Sequence, residues 1–143
     1  MPTKTHEFPV TIVEKHLDTF GHVNNATYLQ LFEEARWQWI TEGGYGLAEV
    51  RARGQGPTLL ECTVKFKREL INRETIVIRS WTESYIGKIA VVRQQMLRPG
   101  DVVCCSADFI MALFDVTERK LINPTDAWLA CVGLTRDDWK AKA

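Results

Sequence analysis

Hydrophobic and polar positions change period twice along this chain, and the two changes mark out its elements. From Phe8 to Val13 the run F-P-V-T-I-V alternates, with Phe8, Val10 and Ile12 on one side, the pattern of a strand. Pro9 cannot donate to a ladder, so this strand belongs at a sheet edge or has the proline near its start. From about Ala26 to Thr41 the period becomes helical. Tyr28, Leu29, Phe32, Ala35, Trp39 and Ile40 recur at three- and four-residue spacing and form one broad apolar face. Gln30, Glu33, Glu34 and Gln38 cover the other side, and Trp37 fits neither face. Asn24 or Asn25 is a suitable N-cap, and Gly43-Gly44 is a stop. Tyr45 to Gly56 predicts an irregular stretch or a short helix.

The second change comes at Pro57, after which everything to Val116 reads as antiparallel sheet. Leu60, Cys62, Val64 and Phe66 alternate with Glu61, Thr63, Lys65 and Lys67, predicting one buried and one wet face. Glu69 to Arg73 is a turn, Glu74 to Thr82 a strand, and Glu83-Ser84 the break before a strand from Tyr85 to Leu97. In Arg98-Pro99-Gly100-Asp101 the proline and glycine suit the two central positions of a type II turn. Val102 to Phe114 is apolar except for Ser106 and Asp108, which predicts an interior strand. Asn123-Pro124-Thr125-Asp126 predicts an N-cap with proline at the first helical position, opening a short helix through Trp128 to Val132. Thr135 with Asp138 repeats a capping signal.

The element order is therefore α+β: strand, long helix, four long strands, then small helices. A strongly curved sheet of this size can wrap the long helix and bury its apolar face. Its outer face then needs the terminal helices or another subunit, and a dimer is expected.

Composition narrows the function. At 143 residues the chain is long enough for one domain, taken as 1–143 with its core at about 8–130. Eighteen basic and 18 acidic side chains balance to zero, which argues against a nucleic-acid partner. Cys62, Cys104, Cys105 and Cys131 lack metal-ligand spacing, so no metal is expected and the thiols read as reduced. Neither a leader-like apolar run at the start nor a membrane-length one later is present, so a cytoplasmic location is expected. Chemistry concentrates in the joint between the first strand and the long helix. Asp18, Gly21, His22, Asn24 and Asn25 fall within eight residues there, where a scaffold can hold reactive groups within reach of a ligand.

The run Asp18-Thr-Phe-Gly-His22-Val-Asn24-Asn25-Ala-Thr-Tyr28, followed by Phe32-Glu33-Glu34-Ala35-Arg36, resembles the hot-dog fold thioesterases. More narrowly it resembles the 4-hydroxybenzoyl-CoA thioesterase-like and short acyl-CoA thioesterase branch. The resemblance implies a hot-dog fold: a long central helix wrapped by a curved five-stranded antiparallel sheet, with short C-terminal helices. It implies homodimers, often paired into tetramers, with active sites at the dimer interface that hydrolyse acyl thioesters without a metal or cofactor. Asp18 then falls at the catalytic aspartate, and Gly21 and His22 at the turn whose amides polarise the thioester carbonyl. Plant acyl-ACP thioesterases carry an asparagine where this chain has Phe20, which departs from an Asp-Asn-His scheme. Glu33 or Glu34 falls near a helix glutamate of the motif, and Gly87-Lys88 near a segment that approaches the pantetheine arm.

Hydrolysis of a thioester needs a nucleophile or base at the carbonyl carbon and a donor for the oxygen that gains charge. Asp18 can attack directly or activate water, and sequence does not separate the two. His22 can donate to the carbonyl, orient Asp18 or act as an acid, while Asn24 and Asn25 suit capping and turn-locking. Candidate acyl-pocket rings are Phe20, Tyr28, Phe32, Trp39 and Tyr45, and candidate groups for the CoA phosphates are Arg68, Lys88 and Arg93. The expected substrate is an acyl-CoA. An acyl carrier protein substrate, or a non-catalytic acyl-CoA binding role, is the alternative.

Overall fold

Asn25–Glu42 (α1) lies across one face of an antiparallel sheet in the computed structural model, which describes residues 4–142. The strands are His6–Thr11 (β1), Gln55–Phe66 (β2), Thr75–Ile86 (β3), Ile89–Arg98 (β4), Val102–Asp115 (β5) and Lys120–Ile122 (β6). Two shorter helices, Leu47–Arg53 (α2) and Asp126–Cys131 (α3), and two single 3-10 turns, Glu14–His16 and Arg136–Asp138, complete the regular elements. The five long strands run in the order β1-β3-β4-β5-β2, and β6 adds a short pairing to the end of β5. This is the α+β hot-dog arrangement, with β1 and β2 as its edges.

The long helix forms where its apolar spacing predicts. Asn24 is the cap, its Oδ1 accepting from the Ala26 amide at 2.9 Å. Leu31, Phe32 and Ala35 are fully buried, whereas Leu29 faces out. Burial of side chains the size of Leu31 and Phe32 stabilises by about 1.5–3 kcal/mol each. Directional contacts fix the helix on the sheet as well. Gln94, fully buried on β4, donates to the Phe32 carbonyl at 3.0 Å and to Ser80 Oγ at 2.9 Å. Its Oε1 accepts from Arg36 at 2.9 Å, and that guanidinium lies 4.3 Å over the Phe109 ring. At the far end of α1, Gly43 sits so close to α3 that a Cβ would come within 2.8 Å of the Cys131 carbonyl.

Several boundaries differ from the sequence pattern, each for a local reason. Glu83-Ser84 is not a turn: β3 continues to Ile86 through a bulge between Thr82 and Ser84, and the hairpin turns at Gly87-Lys88. Polar residues at a bulge read like a loop when only composition is visible. The cap of α3 is Thr125, whose Oγ1 accepts from the Trp128 amide at 3.2 Å, and not Asn123. The strand β6 is too short to show a period. On β2 the predicted alternation holds in parity, with Cys62, Val64 and Phe66 opposite Phe109, Ala107 and Cys105, but not in coverage. Leu59, Leu60, Cys62 and Phe66 are all exposed, because β2 is the open edge of the sheet, and Leu60 sits at a bulge. The terminal helix α3 packs beside α1 on the inner side, so it does not cover the outer face. There Arg93 pairs with Asp108 at 2.7 Å, and Thr63, Lys65 and Gln95 keep the surface polar.

All four cysteines are free thiols, and burial pushes Cys105 and Cys131 up to about 12. No helix among the described residues is long and apolar enough to cross a membrane.

The β2–β3 connection is clamped from below. Arg98 pairs with the Glu74 carboxylate and donates to the Glu69 carbonyl at 2.6 Å, while Glu74 also accepts from the Ile71 amide at 3.0 Å. The Arg98 hydrogen bond holds the Glu74 carboxyl below its ordinary value of 4.5. A lowered folded-state value means stability that is present in full above the unfolded value and lost as pH falls through the folded one. Glu74→Gln is therefore expected to cost about 1–3 kcal/mol at neutral pH. In urea titrations repeated in acid the gap to the parent closes; a cost that persists unchanged would assign the effect to packing.

Candidate active site

The Asp18–Asn25 joint is closed on itself by backbone. Leu17 and Val23 form an antiparallel bridge, the Asp18 amide donates to the His22 carbonyl at 2.8 Å, and Asn24 donates to the His16 carbonyl at 3.0 Å. Within this loop Asp18 Oδ1 accepts from the Phe20 amide at 2.8 Å and the His22 amide at 3.3 Å. One oxygen is thus anchored, while the other accepts nothing among the described residues. Gly21 takes φ +82° with open space around it, so backbone geometry and not crowding demands the glycine. Its amide donates to the Asp18 carbonyl at 3.1 Å. The amides of Gly21 and His22 are therefore both engaged inside the turn. At the start of α1 the amide of Asn25 has no protein acceptor among the described residues, as expected of a first-turn group.

Asp18, His22, Asn25 and Tyr28 border one open cleft with Phe66, Lys67, Arg68 and Glu69 from the end of β2. His22 Nε2 lies 2.7 Å from Glu69 Oε2, so the imidazole points across the cleft toward the β2–β3 connection and not onto Asp18. Tyr28 packs edge-on against Phe66 at 5.0 Å between ring centroids and forms the apolar wall. Arg68 brings the cleft an exposed cation.

A second space, about 110 Å³, opens between the middle of α1 and the sheet. Glu33, Arg36, Trp37 and Trp39 line it from the helix, Leu59, Tyr85, Ala90 and Met111 from four strands, and Trp128 from α3. Apart from Glu33 and Trp39 these residues escape a search by sequence. The one available signal was Trp37, a large ring out of phase with the core stripe, which turns toward the gap beside β2. The cleft and the cavity share no lining residue within one chain.

The remaining candidates separate. Asn24 serves as the cap, and Glu34 is exposed on the helix away from both spaces. Phe20 is 84% exposed at the loop tip. Phe32 and Tyr45 are buried against Phe109 and Trp128, with ring centroids at 5.6 and 5.0 Å, and line neither space. Arg93 sits on the outer face, between Asp108 and Glu83. Gly87 and Lys88 lie at the opposite end of the twelve-residue β3 from the Asp18 cleft. Gly87 is held there by the C-terminal segment: its amide donates to the Lys140 carbonyl at 2.6 Å and its carbonyl accepts from Trp139 Nε1 at 2.8 Å.

Comparison with known proteins agrees with this geometry. A family profile described as the thioesterase-like superfamily matches residues 13–131. The long-chain acyl-CoA thioesterase FadM of Escherichia coli (strain K12) is 27% identical over 108 residues, covering 75% of this chain and 81% of FadM. Protein THEM6 of Xenopus laevis is 26% identical over 123 residues, 86% of this chain but only 56% of its own length, so the chain spans about half of that relative. Among solved structures, a Staphylococcus aureus protein in complex with CoA superposes with a TM-score of 0.85 at 13% identity, covering 97% of this chain and 88% of that one. At that identity the superposition speaks for the fold alone. The match over most of its length places this chain in the thioesterase-like superfamily, and its scaffold is that of a thioester hydrolase.

Proposed function

We propose that this protein hydrolyses an acyl-CoA thioester to the free carboxylate and CoA, with Asp18 as the reacting carboxylate. The observation that carries the reading is the asymmetry of that side chain: one oxygen is fixed by two amides and the other is free in a cleft at a helix N-terminus. The free oxygen either takes a proton from water as the water oxygen adds to the carbonyl carbon, or adds itself and forms a mixed anhydride that water then opens. In both routes the carbonyl oxygen gains negative charge, which a first-turn amide and the helix dipole stabilise. The Asn25 amide is the open donor on that end, with Gly21 and His22 shaping the turn around it. In the first route the adduct collapses with loss of the C–S bond, and the thiolate takes the proton that Asp18 holds. In the second the C–S bond breaks as the anhydride forms, and the thiolate takes a proton from solvent. Water then splits the anhydride into the free acid and Asp18. Arg68 and Lys67 stand where phosphates of the CoA arm can be met. A relative that acts on long-chain acyl-CoA supports that carrier.

The reading also takes the active unit to be a homodimer joined along β2. An unpaired edge bearing Leu59, Leu60, Cys62 and Phe66 in the open is a surface that needs a partner. Antiparallel pairing of two β2 strands about Cys62–Thr63 sets Phe66 of one copy beside Leu59 and Leu60 of the other. The Asp18 cleft of one chain then meets the mouth of the other chain's helix–sheet cavity, which supplies the acyl pocket that Asp18 lacks in its own chain.

The test is a panel of acyl-CoAs and matching acyl carrier protein thioesters, read by free-thiol release. Turnover of CoA esters is expected, and turnover of the carrier-protein esters alone would reassign the carrier. A protein that binds acyl-CoA but releases no thiol from any of them would overturn the hydrolase assignment.

A further inference from the structure

The helix–sheet cavity has a polar atom at its floor that its own walls do not satisfy. Its sheet wall is a single row across four strands: Leu59 is opposite Met111, Met111 opposite Ala90, and Ala90 opposite Tyr85. Three strand spacings make the row roughly 14 Å long. It starts at the open β2 edge and ends at Tyr85, which is 2% exposed. The Tyr85 hydroxyl is buried and its proton has no acceptor among the described residues; the Trp128 indole lies beside it but can only donate. Such a group is normally satisfied in a native fold. Burial pushes this phenol up to about 12, so it stays a neutral donor across the physiological range.

A structural water is a poor substitute at this floor, because a buried water needs two to four polar partners. The nearby Thr82 already commits its hydroxyl to the Val132 carbonyl at 2.9 Å and the rest of the row is apolar, so a water here would have only this hydroxyl and the Trp128 indole, the minimum it needs. Tyr45 also has an orphaned hydroxyl, but it does not border the cavity. Among the described residues, Tyr85 alone combines an unsatisfied hydroxyl donor with space in front of it.

We propose that Tyr85 is a specificity-determining residue, and that the cavity takes a medium-length acyl group carrying a neutral oxygen, hydroxyl or keto, at the end remote from the thioester. This rests on the acyl-CoA hydrolase reading above and adds the class of acyl group. An apolar row delivers the chain, and the tyrosine at its end accepts or donates one hydrogen bond to the terminal oxygen. A site built around such a bond discriminates against the analogue lacking it, because the phenol is otherwise left unpaired.

The experiment compares ω-hydroxydecanoyl-CoA with decanoyl-CoA, in the parent protein and in Tyr85→Phe, as the ratio of kcat/KM values. The parent is expected to favour the hydroxylated ester by about tenfold or more, and the ratio to fall to near one in Tyr85→Phe. A parent that prefers decanoyl-CoA, or a ratio unchanged by the substitution, overturns the proposal. Calorimetric binding of ω-hydroxydecanoate and decanoate reads the same preference without turnover. Preference lost in Tyr85→Phe on a protein that hydrolyses nothing would uphold the cavity assignment while the hydrolase reading fails. Thermal melting of the unliganded proteins adds a check on folding: removing an unpaired hydroxyl leaves the midpoint equal or higher, whereas a marked drop would show that the hydroxyl is already satisfied in the free protein.

Discussion

Asp18→Asn is expected to keep the fold and the oligomeric state while lowering kcat/KM for acyl-CoA hydrolysis by roughly a hundredfold to ten-thousandfold. The substitution is unusually clean because the two oxygens of Asp18 do different work. An asparagine Oδ1 accepts from the Phe20 and His22 amides as the carboxylate does, so the loop has no reason to move. The free oxygen becomes an amide nitrogen that neither takes a proton nor attacks a carbonyl. A loss of that size is about 3–5 kcal/mol of transition-state stabilisation, far above what a turn residue on the surface contributes. Thiol release gives the rates, and near-ultraviolet circular dichroism with gel filtration checks that the scaffold is intact. Parent-like turnover in a well-folded Asp18→Asn protein would remove the carboxylate from the chemistry.

The second large effect is a recovery. In the proposed dimer Asp18→Asn removes the carboxylate, and Ala90→Phe places a ring in the middle of the cross-strand row, which blocks the cavity. Each is expected to be nearly inactive alone. Co-refolded in equal amounts, they reassort into mixed dimers. One of the two sites in each mixed dimer then joins an intact Asp18 from one chain to an open cavity in the other. Half of the dimers with half of their sites gives about one quarter of the parent activity. If Asp18 served the cavity of its own chain, every site in the mixture would carry one defect and no recovery would appear. Gel filtration of Ala90→Phe as a dimer shows that the blocked chain can assemble.

Much of the scaffold was legible before any coordinates. The helical stripe from Tyr28 to Ile40 and the β-branched strands have strong periods, and the Asp18–Tyr28 run pointed to the family now matched over residues 13–131. What stayed hidden depends on neighbours distant in sequence. The exposure of Leu60 and Phe66 follows from β2 being last in the sheet order, a fact of pairing that alternation does not encode. The break expected at Glu83-Ser84 is a bulge because β4 pairs on both sides of it. Rings posed the same difficulty. Phe32 and Tyr45 carry the signature of a pocket wall but fill the core, whereas Tyr85, placed at a strand start by its context, closes a cavity. The amides expected at Gly21 and His22 are spoken for by the turn that those same residues build.

The cavity wall runs across the strands and not along one. Wherever an acyl tail lies along Leu59, Met111, Ala90 and Tyr85, its reach is counted in strands, at ~4.8 Å for each. Shaving one wall side chain widens such a channel without lengthening it. A longer tail needs the last position in the row cleared, and beyond Tyr85 lies the C-terminal segment, whose Lys140 amide donates to the Tyr85 carbonyl at 3.2 Å. On the proposed binding mode the number of strands crossed is a ruler for the substrate, and evolution or engineering can reset it at one place, Tyr85.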